Sequence, residues 1–181
     1  MPYSGSSVIP SPAMDAATPD PPPAPLSKPE LQAKVVQALQ AILPYQALLW
    51  QDEQTTPYEC DGLTAYRQRP LVVALPESYE QIQSLLRSCH RLGVPVVARG
   101  AGTGLSGGAM PHERGVTLSL AKFNQILDID PLARTATVQC GVRNLAISEA
   151  AAAHGLYYAP DPSSQIACTI GGNVAENSGG V

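Results

Sequence analysis

Hydrophobic residues recur along the chain at helical and strand spacings, in an order that predicts a mixed α+β domain. The first helix is predicted to begin at Ser27, because Ser27 and Glu30 form a capping-box pattern with Pro29 in the first turn. Its apolar positions then follow at helical spacing: Leu31, Val35, Leu39 and Ile42. Pro44 is expected to end this helix, and residues 51–69 are polar and irregular, which predicts a long loop.

A strand, a helix and a second strand are predicted next, in the arrangement of a parallel βαβ unit. Leu71–Leu75 and Val94–Ala98 are short β-branched or apolar runs that indicate buried strands. Between them a helix is expected from a cap at Ser78, with Gln81 completing a capping box, to a stop at Gly93. Its apolar face is formed by Tyr79, Ile82, Leu85, Leu86, Cys89 and Leu92.

The second half of the chain predicts a mostly antiparallel sheet with flanking helices. Strands are expected over residues 115–120, 126–129 and 135–139, with a turn at residues 130–133. An alanine-rich helix over residues 144–154 is closed by Gly155, and residues 160–164 have the composition of a loop.

Composition narrows the class of protein. The chain has 181 residues and a formal net charge of −4, with no run of Lys and Arg, which argues against a nucleic-acid partner. No apolar stretch reaches the roughly 18 residues that cross a bilayer, and residues 1–27 have the Pro-rich composition of a disordered tail without secretory-signal features. The cysteines and histidines lack ligand spacing, so no metal site is expected and the cysteines are taken as free thiols.

The most informative segment is glycine-rich and follows the second predicted strand. Residues 100–108 contain five glycines, which free the backbone to turn its N–H groups inward as an anion-binding concavity. Thr103 and Ser106 could add hydroxyl donors, and a branched side chain at Gly102 is expected to fill the position of a phosphate. A second bare-backbone segment, residues 169–173, follows about sixty residues later, and together the two suggest a large phosphate-bearing cofactor.

Several interpretations of this loop compete. A P-loop would need Lys followed by Ser or Thr after the glycines, whereas Ala109 and Met110 stand there. Gly102–Gly107 spells G-x-G-x-x-G, but Pro111 and the absence of a helical pattern disfavour a nicotinamide-binding Rossmann unit. A loop that binds pyrophosphate through N–H groups alone fits better, and a glycine-rich surface turn is the remaining alternative.

Four blocks in order carry a family resemblance: residues 69–76, 95–108, 160–164 and 169–177. Over residues 58–181 the chain resembles the PCMH-type FAD-binding domain of vanillyl-alcohol-oxidase-type FAD-linked oxidases. Within that family it is most similar to the group of glycolate oxidase D subunits, D-lactate dehydrogenases and D-2-hydroxyglutarate dehydrogenases.

The resemblance implies FAD between two α+β subdomains, with two sets of contacting residues. Around the pyrophosphate it places Arg99, Gly100, Ala101, Gly102, Thr103, Gly104, Leu105 and Ser106. Along the flavin and its ribityl chain it places Pro162, Ser163, Thr169, Gly172 and Asn173. Thr103 stands where some relatives carry the histidine that binds flavin covalently, so a non-covalent FAD is expected.

The implied function is oxidation of a small 2-hydroxy acid, of the glycolate or D-lactate type, by hydride transfer to flavin. The implied partners are that substrate and an iron–sulfur or other electron-transfer subunit, in the cytoplasm or peripheral to a membrane. No catalytic residue is assigned. The alternatives are a non-catalytic FAD-binding or interaction module and, less favoured, a nicotinamide-dependent Rossmann enzyme.

Three regions are expected along the chain: a disordered tail (1–27), a helix with a connecting loop (28–57), and an incomplete FAD-binding domain without its cap domain (58–181). The ending at residues 179–181 is typical neither of a capped helix nor of a completed strand, so the chain is interpreted as cut within the domain. A truncated or frameshifted copy, an incomplete record of a full-length enzyme and a domain completed by a second chain are the alternatives, in that order of preference. We expect this portion alone to be inactive.

Overall fold

The first helix begins where its cap predicts. The computed structural model describes residues 25–180, in which α1 spans Lys28–Gln40. The backbone N–H and the hydroxyl of Ser27 donate to Oε2 of Glu30 at 2.9 and 2.6 Å, and these hydrogen bonds lower the pKa of Glu30. The predicted start of the helix is confirmed. Residues 1–24 of the predicted tail lie outside the described residues.

Four strands form the main sheet. They are β1 (Leu48–Leu49), β2 (Val72–Ala74), β3 (Val96–Arg99) and β4 (Val116–Ser119). Their order is β1-β2-β4-β3, with β1 antiparallel to β2 and the other neighbours parallel.

The parallel part of this sheet is larger than the sequence suggests. The helix α3 (Tyr79–Arg91) connects β2 to β3, and both strands run parallel, as the βαβ pattern predicts. However, β4 lies between them and pairs in parallel with both, because all four of its residues are buried and suit the centre of a sheet. The same insertion leaves β3 at the edge of the described sheet, so this predicted buried strand is only half-buried.

The helix α3 begins at its predicted cap, Ser78, but the predicted capping box is not formed because Gln81 turns to the residue before the cap. The hydroxyl of Ser78 accepts from the N–H of Gln81 at 3.3 Å, while the Gln81 side chain accepts from the N–H of Glu77 at 2.7 Å. Gly93 ends the helix region at φ +64°, which is a left-handed conformation that favours glycine. Of the predicted apolar face, Leu85 and Cys89 are buried, whereas Tyr79 and Leu86 are exposed and that part of the prediction is wrong.

One apolar core joins α1, α3 and the sheet. Its buried members from the two helices are Leu31, Val35, Val36, Leu39, Leu85 and Cys89. Those from the strands and their flanks are Leu43, Ala47, Leu48, Leu71, Val72, Ala74, Val94, Val116 and Leu118. Residues 28–57 therefore share their core with the segment predicted to bind FAD, and the domain division at residue 57 stays a prediction.

A hairpin and two helices complete the described chain. The hairpin pairs β5 (Ile126–Asp130) with β6 (Thr135–Val138), and Oδ1 of Asp130 accepts from two N–H groups of the predicted turn. The helix α4 spans Asn144–Ala151 and continues as one 3₁₀ turn to Gly155 at φ +68°.

Two short helices differ from the sequence-based expectation. The predicted loop over residues 51–69 contains α2 (Asp52–Thr55) and a 3₁₀ turn, and the second glycine-rich segment forms α5 (Ile170–Ala175). Both helices are too short to show a hydrophobic period. Within residues 25–180 no helix combines the length and apolarity required to cross a bilayer.

Candidate functional site

The two glycine-rich segments face each other across a cavity of about 540 Å³. The first segment leaves the carboxyl end of β3, which is the end of a parallel strand where ligands commonly bind. The second contains α5. The cavity is lined by every predicted site residue except Arg99: Gly100, Ala101, Gly102, Thr103, Gly104, Leu105, Ser106, Pro162, Ser163, Thr169, Gly172 and Asn173.

Backbone donors are concentrated in the first segment. Among the described residues, none accepts a hydrogen bond from the backbone N–H groups of residues 101–106. Gly102 has φ +71°, a conformation that L side chains adopt at a cost of ~1–2 kcal/mol. A run of unpaired N–H groups around a left-handed glycine is suited to an anion with several acceptor oxygens.

Two buried polar side-chain atoms of the second segment also lack partners. The hydroxyl of Thr169 and the amide nitrogen of Asn173 are buried and make no hydrogen bond within residues 25–180. Leaving such a group unpaired costs ~1–3 kcal/mol, so a polar ligand in the cavity would offset that cost. Both residues line the cavity, and the site therefore fits a ligand with oxygen acceptors as well as donors.

Close packing explains why glycines are needed around Thr169. A Cβ on Gly100 would collide with the Thr169 hydroxyl, so only glycine lets the two segments approach here. A Cβ on Gly171 would lie 2.8 Å from Cβ of Cys140, which is closer than real contacts allow. The close contact between Gly171 and Cys140 is also held by a 2.8 Å hydrogen bond from the N–H of Gly171 to the carbonyl of Cys140.

The structure does not bring the Arg99 side chain into the cavity. Its Nη1 donates to the carbonyl of Cys60 at 2.7 Å, and its Cζ lies 5.6 Å from the centroid of the Tyr58 ring. A Cβ on Gly102 would collide with this guanidinium group. The expectation that a Gly102 side chain would fill the phosphate position is therefore wrong, because that side chain would point to the back of the loop.

Sequence reasoning missed Glu176, which follows α5. Its Oε2 accepts a hydrogen bond from the Ser106 hydroxyl, and Oε1 occupies the space that a Cβ on Gly108 would need. The Ser106 hydroxyl is thus a donor to Glu176, whereas it was expected to donate to a phosphate. An acidic residue three positions after the glycine-rich segment 169–173 was the available signal.

The charge of the cavity wall is unusual for an anion site. Among the described lining residues, Glu176 is the one charged side chain, and no Lys, Arg or His lines the cavity. An anion here would therefore be bound by backbone dipoles and neutral side chains. Within residues 25–180 no three His, Cys, Asp or Glu side chains are grouped so that they could hold a metal ion, and the four cysteines are free thiols.

Comparisons with known proteins show the family of this chain. Residues 70–181 match the family model described as the FAD binding domain. Glycolate oxidase subunit GlcD of Escherichia coli K12 is 64% identical over 150 residues, which are 83% of this chain and 30% of that protein. The D-2-hydroxyglutarate dehydrogenase of Xanthomonas citri pv. viticola is 38% identical over 144 residues, 80% of this chain and 30% of that protein. The chain spans less than a third of the length of these curated relatives.

Solved structures share the fold. Alkyldihydroxyacetonephosphate synthase superposes with a TM-score of 0.72 at 24% identity, over 86% of this chain and 33% of that one. The p-cresol methylhydroxylase structure superposes with a TM-score of 0.62 at 26% identity, over 72% of this chain and 27% of that one. The mixed α+β architecture expected from the sequence is confirmed by these neighbours.

Proposed function

Because the chain belongs to the FAD binding domain family, we propose that its cavity binds the diphosphate of FAD and that the whole protein oxidises a small 2-hydroxy acid. The observation that carries this proposal is the run of unpaired backbone N–H groups over residues 101–106. Hydrogen bonds to a charged acceptor are worth ~1.5–3 kcal/mol each, so a few that converge suffice to retain a cofactor.

The residues of this chain bind and orient, and the cofactor supplies the redox chemistry. When bound, FAD provides the hydride acceptor for oxidation at the α-carbon of a hydroxy acid. The N–H groups of residues 101–106 would hold the diphosphate, and the Thr169 hydroxyl and Asn173 amide would pair with polar atoms of the ribityl chain or the flavin. We propose non-covalent attachment, with Thr103 in the loop instead of a histidine.

The substrate class is proposed from the relatives. Two of them are named a glycolate oxidase subunit and a D-2-hydroxyglutarate dehydrogenase, and both names contain a 2-hydroxy acid. Recognition of a substrate carboxylate normally needs Arg or Lys, and oxidation needs a proton acceptor. The described cavity wall carries no Arg, Lys or His, so we place these groups outside it and assign no catalytic residue.

We also propose a partner subunit and a cellular location for the whole protein. The name of the GlcD relative makes it one subunit of an oxidase, which supports an electron-transfer partner subunit for this protein. We propose a cytoplasmic site of action, with any membrane contact peripheral. Co-purification of a tagged chain from fractionated cells would test both points: a chain without any iron–sulfur or other redox partner would contradict the first.

Binding to three ligands tests the diphosphate assignment. FAD and ADP both carry a diphosphate, whereas riboflavin carries the flavin without it. We expect titration of the purified chain to show binding of FAD and ADP and much weaker binding of riboflavin. Equal binding of riboflavin with no binding of ADP would contradict the assignment.

Flavin reduction tests the activity. Anaerobic addition of glycolate or D-lactate to the FAD-loaded whole protein, rather than to this portion alone, should bleach the visible flavin absorbance. Bound FAD that neither acid reduces would instead favour a non-catalytic FAD-binding module. Acid precipitation should release the flavin into the supernatant, and flavin that stays with the protein pellet would contradict non-covalent attachment.

A further inference from the structure

A segment distant in sequence packs against the back of the glycine-rich loop. This segment, Tyr58–Leu63, precedes the main parallel strands and is here termed the supporting segment. It contacts the loop on the side away from the cavity, through Gly62 and through the Arg99 side chain at the end of β3. None of its residues lines the cavity.

Gly62 lies directly against the loop backbone. A Cβ built on Gly62 would lie 2.7 Å from the carbonyl oxygens of both Thr103 and Gly104. Gly62 has no positive φ, so its lack of a side chain is required by this contact and not by backbone conformation. In each case the nearest atom is the oxygen, and the two carbonyl groups therefore face the supporting segment.

Because peptide groups are planar, this contact also fixes the direction in which the N–H groups of the loop point. In a planar trans peptide, the carbonyl of one residue and the N–H of the next point in opposite directions. Because the carbonyls of Thr103 and Gly104 face Gly62, the N–H groups of Gly104 and Leu105 face away from it. Gly104 and Leu105 both line the cavity, so their N–H groups are directed to its side of the loop.

Arg99 ties the base of the loop to the same segment. Its guanidinium group binds the Cys60 carbonyl at 2.7 Å and lies over the Tyr58 ring at 5.6 Å. It also fills the space beside the Cα of Gly102 that a side chain would occupy. The positive charge is thereby held behind the loop.

The supporting segment is itself held in a fixed turn. Asp61 is 4% exposed, and its Oδ1 accepts from the N–H of Leu63 at 2.9 Å. An aspartate that accepts from the N–H two residues later forms an Asx turn, which here contains Gly62. The contact with the loop is therefore made by a glycine whose backbone is constrained by the Asx turn.

We propose that Tyr58–Leu63 is a positioning element for the cofactor, which fixes the Gly104 and Leu105 N–H groups towards the diphosphate. Arg99, at the end of β3, acts as a positioning residue that links the loop to this segment through Cys60 and Tyr58. This inference rests on the proposed function, since FAD is the ligand that the loop would hold.

Gly62→Ala is the direct test, with Gly179→Ala as its matched control. Both glycines have ordinary φ values, but a Cβ on Gly179 meets nothing within 4 Å. We expect Gly62→Ala to weaken FAD binding about tenfold or more, as loss of one hydrogen bond to a charged group predicts, and Gly179→Ala to bind as the parent does. In the cofactor-free chain, the amide NMR signals of Gly104 and Leu105 should move in the first variant only.

A second variant covers the case in which Gly62→Ala does not fold. Tyr58→Leu removes the ring beneath the Arg99 guanidinium without touching the loop, and we expect FAD binding to weaken about two- to fivefold. Arg99→Met should weaken it further, and the double variant should be no worse than Arg99→Met alone, because the ring acts through the guanidinium. Additive losses would instead indicate that the ring and the guanidinium group act independently, and would overturn their joint positioning role.

The outcomes separate this inference from the proposed function. If the parent chain binds no FAD, the proposed function fails, whereas the cofactor-free NMR signals still decide whether Gly62 orients the loop. If the parent binds FAD and folded Gly62→Ala binds it equally well with unchanged Gly104 and Leu105 signals, the positioning inference alone is overturned.

Discussion

Replacing the Thr169 hydroxyl with a methyl group should have opposite effects on stability and on FAD binding. Thr169 is 8% exposed, lines the cavity and packs against Gly100, and its hydroxyl makes no hydrogen bond within residues 25–180. Thr169→Val keeps nearly the same volume and removes the unpaired hydroxyl. The change therefore isolates the polar atom from the packing around it.

The two effects can be estimated separately. A buried, unpaired hydroxyl costs ~1–3 kcal/mol, so the free energy of unfolding of the cofactor-free chain should rise by about that amount. If the hydroxyl pairs with FAD, its loss removes ~0.5–1.5 kcal/mol of binding, which is about a two- to thirteenfold rise in the dissociation constant.

Thr117→Val provides the matched control. Thr117 is fully buried in β4, and its hydroxyl also has no partner among the described residues, but it does not line the cavity. This variant should gain a similar stability of ~1–3 kcal/mol and bind FAD as the parent chain does. It separates the general benefit of removing an orphan hydroxyl from any contact with the cofactor.

Urea denaturation of the cofactor-free variants and fluorescence titration with FAD measure the two quantities. The reasoning is refuted if Thr169→Val binds FAD as tightly as the parent chain. It is equally refuted if Thr169→Val loses stability while Thr117→Val gains it, since the Thr169 hydroxyl would then have a partner without FAD.

Three further predictions concern charge, conformation and pH. Glu176→Gln keeps an acceptor for Ser106 but removes the negative charge from the wall of the proposed diphosphate site, so FAD titration should show several-fold tighter binding. Weaker binding would contradict this prediction. Gly102→Ala should lose ~1–2 kcal/mol of unfolding free energy to left-handed strain, and FAD with it, because its Cβ meets Arg99; normal flavin content would count against this. Burial raises the pKa of Cys89 from 9.0 to about 11, so the folded state keeps a proton that the unfolded state releases. The free energy of unfolding should therefore fall as pH rises from about 9 to 11, and urea denaturation should show a smaller fall in Cys89→Ala. An equal fall in Cys89→Ala would contradict the assignment to this thiol.

Elements with strong local signals were predictable from the sequence. The start of α1 follows from the Ser27–Glu30 pair, and the end of α3 follows from Gly93, whose φ of +64° other residues rarely adopt. The turn at Asp130 likewise depends on hydrogen bonds to its near neighbours in sequence. Such features are fixed within a few residues and need no knowledge of the tertiary structure.

Elements fixed by distant contacts were not predictable. The place of β4 between β2 and β3 depends on which strands bury both faces, and no local pattern encodes strand order. The helix α5 contains two adjacent glycines, which disfavour helices, yet it forms where Gly171 packs against Cys140. Tertiary packing overrides propensity at that position.

The candidate site likewise has one part that could be predicted from the sequence and one part that could not. Its backbone component could be predicted, because five glycines in residues 100–108 have few other uses, and all of these glycines except Gly107 line the cavity. The directions of the Arg99 and Glu176 side chains could not be predicted, since each is set by a partner from another part of the chain, at Cys60 and at Ser106 respectively. The residue types indicated where the site lies, whereas the role of each side chain depends on its contacts in the folded chain.

The most direct test of the central claim follows the loop amides during an FAD titration of the ¹⁵N-labelled chain. If backbone N–H groups hold the diphosphate, the amide signals of residues 101–106 should shift together and saturate with FAD, and ADP should reproduce most of the shift. Saturation by FAD with those amide signals unmoved would contradict the account.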